Sequence, residues 1–267
     1  MNSSPLEDFL ILGIRKFMKE CGFTQAHLGL SGGIDSALVA YLAVQAAGAS
    51  NITCFNMPSR FSPQCSKDDA AELAARLGCN FKILPIEECY SAFLSVLSEL
   101  FENRPFDTTE ENIQSRIRGA LLMAYANKFN SMLLNASNKS EIAMGYFTLY
   151  GDAIGALGPI GGLYKTDVFA LCRRINERSV AETGAQIIPQ AIIDKPPSAE
   201  LHPNQKDSDS LPPYEVLDVI LRLYLDEKKS RDEIVKKEPD NELVDRIIGT
   251  VKRNEFKRRQ IPPALVF

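Results

Sequence analysis

Residues 26–47, AHLGLSGGIDSALVAYLAVQAA, constrain the architecture more than any other stretch. A short apolar run over 26–30 ends in Ser-Gly-Gly, and small and apolar residues then recur at helical spacing from about Asp35 to Ala47. That pattern predicts a buried strand, a tight turn and a helix packed back beside the strand. Apolar runs at 51–58, 80–86 and 131–137 predict three further strands, with helices over 62–78, 91–101 and 110–130 between them. Parallel strands need crossover connections, and helical crossovers cover the sheet. The predicted fold class is therefore α/β, a parallel sheet with helices on both faces. Leu6, Phe9, Leu10, Ile14, Phe17 and Met18 fall at helical spacing ahead of the first strand and predict one more helix.

The alternation breaks near residue 185. Residues 195–213, KPPSAELHPNQKDSDSLPP, are polar and proline-rich and predict a long loop. Loops of that length usually serve a function, and residues 200–212 are expected to order over a ligand site. Helices are expected at about 214–226, 230–237 and 240–252. The expected organisation is a single domain over 1–267, with an α/β core to about 185 and a loop and helical portion from about 186.

The chemistry begins at the Ser-Gly-Gly turn. Glycine permits close backbone approach, and a new helix presents unpaired N–H groups and the positive end of its dipole, so the turn suits an anion. It is neither familiar phosphate cradle. A P-loop needs Lys and then Ser or Thr after its last glycine, where this chain has Ile34-Asp35-Ser36, and a dinucleotide fingerprint needs three spaced glycines. A plain structural corner would also use Gly-Gly. Asp35 separates the readings, since a carboxylate beside a phosphate implies an intervening cation such as magnesium. The end of the fourth strand should neighbour the end of the first, which would bring Glu141 within reach of the same cation. The glycine-rich 145–167 is irregular and carries Asp152 and Lys165, and Lys165 suits a polyphosphate.

Bulk properties narrow the class. A net charge of −4 in 267 residues argues against a general nucleic-acid binder. Six cysteines show no C-x-x-C pair or metal spacing, which fits free thiols in a reducing compartment. Neither a signal pattern nor a membrane-spanning run is seen in the sequence, so a cytoplasmic protein without membrane association is expected. His27 and His202, the only histidines, suggest no role.

The chain resembles the ammonia-using domain of NAD synthetases, within the ATP pyrophosphatase group. The pieces that carry the resemblance are GLSGGIDS (29–36), ENIQSRIRG (111–119), NKSE (138–141), GYFTLYGD (145–152), PIGGLYKTDV (159–168), KPPSAEL (195–201), DSLPPYEVLD (209–218) and KRRQIPP (257–263). They occur in the family's order and span nearly the whole chain. The loop alone would not separate this family from GMP synthetase, asparagine synthetase or tRNA-modifying relatives; the later pieces do.

The resemblance implies the adenine nucleotide alpha-hydrolase-like variant of a Rossmann-like fold. It implies ATP-dependent amidation of deamido-NAD to NAD through an adenylated intermediate, with release of AMP and pyrophosphate. Gly29, Leu30, Ser31, Gly32, Gly33, Ile34, Asp35 and Ser36 would line the ATP phosphates, with Ser137, Lys165 and Ser198 as further ATP contacts. Asp35 and Glu141 would be the Mg2+ ligands. Arg116, Lys257 and Arg258 would meet deamido-NAD, although KRR without the resemblance reads as a solvated tail. Asp35 and Lys165 are expected to act in catalysis, and Asp152 either to hold incoming ammonium and take its proton or only to stabilise its turn. A homodimer is also implied.

Three positions depart from many ammonia-dependent members: Ala136 in place of Thr, Leu149 in place of Lys, and Ala156 in place of Asp. Together with KPPSAEL and DSLPPY they look more like the synthetase domain of the glutamine-dependent branch. No amidase segment is expected within these residues, so the chain is expected to use free ammonia or a glutaminase on a separate polypeptide. The alternatives are another ATP-pyrophosphatase amidase, a tRNA-modifying enzyme, or a noncatalytic nucleotide-binding module. The first two would usually show a zinc-binding cysteine set or a basic RNA face, and the third could dispense with Asp35 and Glu141.

Overall fold

The computed structural model describes residues 3–267, so the first two residues of the expected 1–267 domain lie outside it. Its strands are β1 (Ala26–Gly29), β2 (Ile52–Asn56), β3 (Asn80–Ile83) and β4 (Met132–Leu133). They form one parallel sheet in the order β3-β2-β1-β4, with Ala26 opposite both Ile52 and Met132. The expected fold class is what the structure shows. α1 (Pro5–Glu20) precedes the first strand, and the crossovers carry α2 (Ile34–Ala47), α3 (Gln64–Leu77), α4 (Glu87–Leu97) and α5 (Thr108–Phe129).

Alternation along each strand sends side chains to two different cores. Ala26, Leu28, Ile52 and Cys54 join a cluster with α1, α2 and α3, while Phe55 and Leu133 join one with α4 and α5. α2 is apolar almost all round, and it is buried almost all round between the sheet and the helices beside it. α5 starts on a capping box in which Asp107 accepts from Thr109 N (2.6 Å) and Glu110 accepts from Asp107 N (2.9 Å).

Beyond β4 the chain forms α6 (Lys139–Met144), α7 (Lys165–Thr183) and α8 (Gln190–Asp194), then α9 (Tyr214–Leu221), α10 (Arg231–Val235), α11 (Asn241–Arg253) and α12 (Glu255–Arg258). α6 and α9 to α11 supply a third apolar cluster, built on Leu217, Ile220, Val244 and Ile247. Two polar knots lock these layers together. Glu7 on α1 is 2% exposed and accepts both terminal nitrogens of Arg178 on α7 and the hydroxyl of Tyr41 on α2. Asp218 on α9 is 1% exposed, accepting Ser140 Oγ at 2.5 Å and Thr166 N at 2.8 Å.

Three expectations are corrected. The fourth strand is two residues long and not 131–137, because the chain leaves the β1 ladder at Leu134 to bridge Leu157, and Asn135 Nδ2 donates to the carbonyls of Asp152 and Ile154. The helix expected at 91–101 starts at Glu87 instead, one residue after the buried Ile86. The helix expected to run to 226 is α-helical only to Leu221 and continues as a π turn. No helix among the described residues is long and apolar enough to cross a membrane.

Candidate active site

The carboxyl ends of β1 and β2 open into a cavity of about 630 Å³. One wall is the turn after β1. Ser31 and Ser36 face each other with hydroxyl oxygens 3.1 Å apart, Ser36 Oγ donates to Gly33 O at 3.0 Å, and Gly33 N donates to Ser31 Oγ at 3.2 Å. The turn is therefore shaped by its own side chains before any ligand arrives. Gly32 adopts φ +84°, and a Cβ there would lie 2.2 Å from the Ser66 carbonyl. Only glycine lets α3 approach so closely. Gly33 caps α2 with no side-chain bond, which leaves the helix N-terminus turned to the cavity.

At that helix end three charges converge. Lys165, the first residue of α7, places Nζ 2.5 Å from Asp35 Oδ2 and 3.2 Å from Glu141 Oε1. Asn138 ties the carboxylates together, donating to Asp35 Oδ1 at 2.9 Å while its Oδ1 caps Glu141 N at 3.0 Å. Burial opposes charge on Lys165, but Asp35 and Glu141 outweigh it and hold the ammonium above its ordinary range. Burial pushes the Glu141 carboxyl up, Lys165 opposes it, and Asp35 adds to the rise. Asp207 also faces this group and is itself raised by burial. The carboxyl oxygens of Asp35 and Glu141 converge on one point, and a divalent cation held there would favour the ionised form of Glu141. The donors are hard oxygens, and no group of three or more His, Cys, Asp or Glu able to hold a metal exists among the described residues. Such a set suits Mg2+, which typically takes one or two carboxylates and completes its shell with water and phosphate oxygens.

Asp152 lies across the cavity. Its Oδ1 accepts Thr148 N at 2.7 Å and Ser115 Oγ at 2.9 Å, and the residue keeps an exposed surface where it lines the cavity. Burial raises it above the usual carboxylate range, with those two bonds acting against the rise. The close contact behind this depends on Gly151, where a Cβ would lie 2.4 Å from Ser115 Oγ.

The structure brings most of the sequence-predicted residues together. Gly29, Leu30, Ser31, Gly33, Ile34, Asp35, Ser36, Ser137, Glu141, Asp152, Lys165, Ser198 and Lys257 all line the cavity. Gly32 lies behind the turn. Ser198 Oγ donates to Gln205 O at 2.6 Å and so shapes the loop at 195–213, which forms another wall. That loop is tied to the body through Lys195 to Asp69 (2.6 Å) and Gln114 Nε2 to Leu201 O (2.9 Å). Lys257 Nζ donates to the carbonyls of Gly145 and Phe147, both at 2.9 Å.

Arg116 and Arg258 are not brought into the cavity of this chain. Arg116 is exposed and donates to Leu149 O at 3.3 Å. Arg258 is spent on the carbonyls of Ala143 and Val251. Asn112, Arg118, Lys195 and Asp207 line the cavity and escaped the sequence reading. Helical periodicity could have found the first two: Asn112, Ser115, Arg118 and Gly119 share one face of α5, and Arg116 is turned away from it.

A family model described as NAD synthase matches residues 7–261. A glutamine-dependent NAD(+) synthetase of Synechocystis is 47% identical over 99% of this chain and 46% of its own length. The chain thus spans about half the length of the curated relatives it matches. Among solved structures, an NH3-dependent NAD synthetase from Campylobacter jejuni is 28% identical, with a TM-score of 0.76 and 99% of each chain covered. An NMN synthetase from Francisella tularensis is 29% identical, with a TM-score of 0.79, 96% of this chain covered and 97% of its own.

Proposed function

The chain belongs to the NAD synthase family, and from that premise we propose that it amidates deamido-NAD to NAD with ATP, through an adenylated intermediate. The observation that carries the reading is the meeting of Lys165, Asp35 and Glu141 at the open N-terminus of α2, inside the one cavity that also holds Asp152.

A carboxylate resists ammonia because its carbon is already electron-rich and its oxygen leaves poorly. Attack of the nicotinate carboxylate on the α-phosphorus of ATP forms a mixed anhydride and releases pyrophosphate; ammonia then adds to the carbonyl and AMP leaves. The first step joins an anion to a polyanion and needs preorganised positive charge. The turn at residues 29–36 offers backbone N–H groups and the α2 dipole, and Lys165 offers an ammonium held charged by its carboxylates. Asp35 and Glu141 would hold Mg2+, which supplies charge neutralisation at phosphate oxygens when bound. Ser137 and Ser198 line the nucleotide space, and Lys257 stands on the side of Asp152, where we place the dinucleotide. We assign Asp152 to the incoming nitrogen: Oδ1 is fixed by Thr148 and Ser115, which leaves Oδ2 to accept from ammonium and take its proton. Arg116 and Arg258 would reach a dinucleotide only outside this chain's own cavity.

We read the protein as a cytoplasmic homodimer. The exposed Phe93, Val96, Leu100 and Phe129 on and beside α4 and α5 support an apolar contact. Ammonia is the species that meets the intermediate, whether free or released by a glutaminase. The test is AMP and NAD formation by the purified chain from deamido-NAD, ATP and magnesium, with ammonium or glutamine as the nitrogen donor. Ammonium-driven NAD synthesis is expected, and its absence, or equal use of glutamine alone, overturns the corresponding part. Asp152→Asn should raise the ammonium requirement far more than the ATP requirement; unchanged ammonium dependence removes Asp152 from the mechanism. The likeness to an NMN synthetase makes nicotinate mononucleotide the control substrate, with faster turnover of the dinucleotide expected.

A further inference from the structure

Five cationic side chains line the cavity: Lys67, Arg118, Lys165, Lys195 and Lys257. Lys165, Lys195 and Lys257 are engaged by protein oxygens. Lys67 is half-buried on a flexible stem. Arg118 is different. Its Nε donates to the Met57 carbonyl at 2.9 Å, which fixes the plane of the guanidinium, and its terminal nitrogens bond no described residue. Glu200 and Asp152 influence it at longer range, and it forms no ion pair with any described carboxylate.

Arg118 is half-buried, and a guanidinium partly withdrawn from water without an anion beside it is costly. Burial pulls Arg118 down to about 10, so it still carries its charge at neutral pH. Its position is not incidental to the cavity, since Asn112, Ser115 and Gly119 share its face of α5 and line the same space. It also stands on the α5 side of the sheet, beside Met57, whereas Lys165 stands at the start of α2 and α7 on the other side. An extended anionic ligand across the sheet edge would meet a cation from each side.

We propose that Arg118 is a ligand-binding residue of this site, its two terminal nitrogens gripping paired oxygens of a phosphate or carboxylate on a bound nucleotide. Bidentate recognition of this kind is what a planar guanidinium does best. The inference rests on the reading of the cavity as a nucleotide site. Two sources share the chemistry, the phosphates of ATP and the anionic groups of deamido-NAD.

Isothermal titration with a non-hydrolysable ATP analogue and, separately, with deamido-NAD distinguishes them. Arg118→Gln keeps a donor for the Met57 carbonyl and removes the charge. It should weaken one of the two ligands by roughly 10- to 100-fold, the range of a lost charge-assisted hydrogen bond, with the melting temperature within a few degrees of wild type. The ligand that weakens identifies the source. Arg118→Lys keeps the charge but loses the fork, and should bind that ligand several-fold more weakly than wild type; this variant decides the matter if the Gln variant does not fold. Wild-type affinity for both ligands in these variants overturns the inference and leaves the nucleotide reading intact. Equal weakening of both ligands with a lowered melting temperature marks Arg118 as structural and also overturns it. Failure of the wild-type protein to bind either ligand overturns the nucleotide reading and this inference together.

Discussion

At residue scale the site depends on charges placed where burial makes them strong. Asp35 lies in the first turn of α2, held by Asn138 and Lys165, and its side chain is 17% exposed. Asp35→Asn preserves size and should leave the melting temperature within a few degrees while lowering adenylation on the order of 100-fold or more, the scale of one preorganised electrostatic contact. Near-normal pyrophosphate release by the variant would remove Asp35 from the chemistry. His27 illustrates the opposite case, an ionisable residue used for packing. Its Nε2 donates to Leu122 O at 3.0 Å, which leaves Nδ1 to accept from Ser131 Oγ at 2.9 Å. Burial lowers it to about 4, with the Leu122 carbonyl opposing. A histidine whose folded value lies below its unfolded value contributes stability that is fully present above about 6.5 and is lost as pH falls toward 4. That separation corresponds to roughly 3 kcal/mol. Urea unfolding should therefore show His27→Gln losing less stability than wild type between pH 7 and pH 4; equal losses would contradict the assignment.

At the scale of elements, the start of α7 is what aims Lys165. Ser140 Oγ accepts Lys165 N at 2.9 Å, and Asp218 accepts both Ser140 Oγ and Thr166 N, so α6 and α9 clamp the first turn of α7. Asp218→Ala would leave buried donors unpaired and should cost about 1–3 kcal/mol. It should also lower kcat/KM for adenylation, because it loosens the first turn of α7 and with it the ammonium of Lys165 that we propose meets the ATP phosphates. A variant equally destabilised but fully active would show that α7 holds its place without this clamp. Much of this level was legible beforehand: the strand-turn-helix unit at 26–47, the helices over 64–77 and 108–129, and the loop at 195–213 stand near where periodicity and turn residues put them. β4 did not, because an apolar run cannot reveal that Asn135 will divert the chain toward residue 157. α7 follows directly on the glycine-rich residues before Lys165, whose irregular composition hides where its helical period begins.

At the scale of the molecule, the C-terminal helices pack on α6 through a shared apolar cluster, and Asp218 ties α9 to α6 and to the start of α7. The last residues return to the core: Gly158 pairs with Ala264, and Leu265 packs against Gly13 on α1. The apolar surface around α4 and α5 is left uncovered within one chain, with Val96 82% exposed and Leu100 73% exposed. If this surface meets a second copy, wild-type protein should have twice the chain mass by light scattering, and Val96→Asp with Leu100→Asp should yield a folded monomer. A monomeric wild type, or a double variant that stays dimeric, would refute that contact.

What the sequence determined by itself was local or carried by motif. Alternating apolar runs pointed to a parallel α/β sheet, and Ser-Gly-Gly before a helix pointed to a tight turn that suits an anion. The ordered motifs from GLSGGIDS to KRRQIPP pointed to the family, while Asp35 and Glu141 followed from carboxylates beside such a turn. What only the tertiary structure decided was which distant groups share one space and which way each points. Arg116 and Arg258 were as plausible on paper as Lys257, yet the fold commits both to carbonyls outside the cavity and leaves Arg118 inside it. Two residues apart on a helix are turned by roughly 200°, and the neighbours that make one of those directions the cavity are more than thirty positions away, at the end of β2 and in the Asp152 turn.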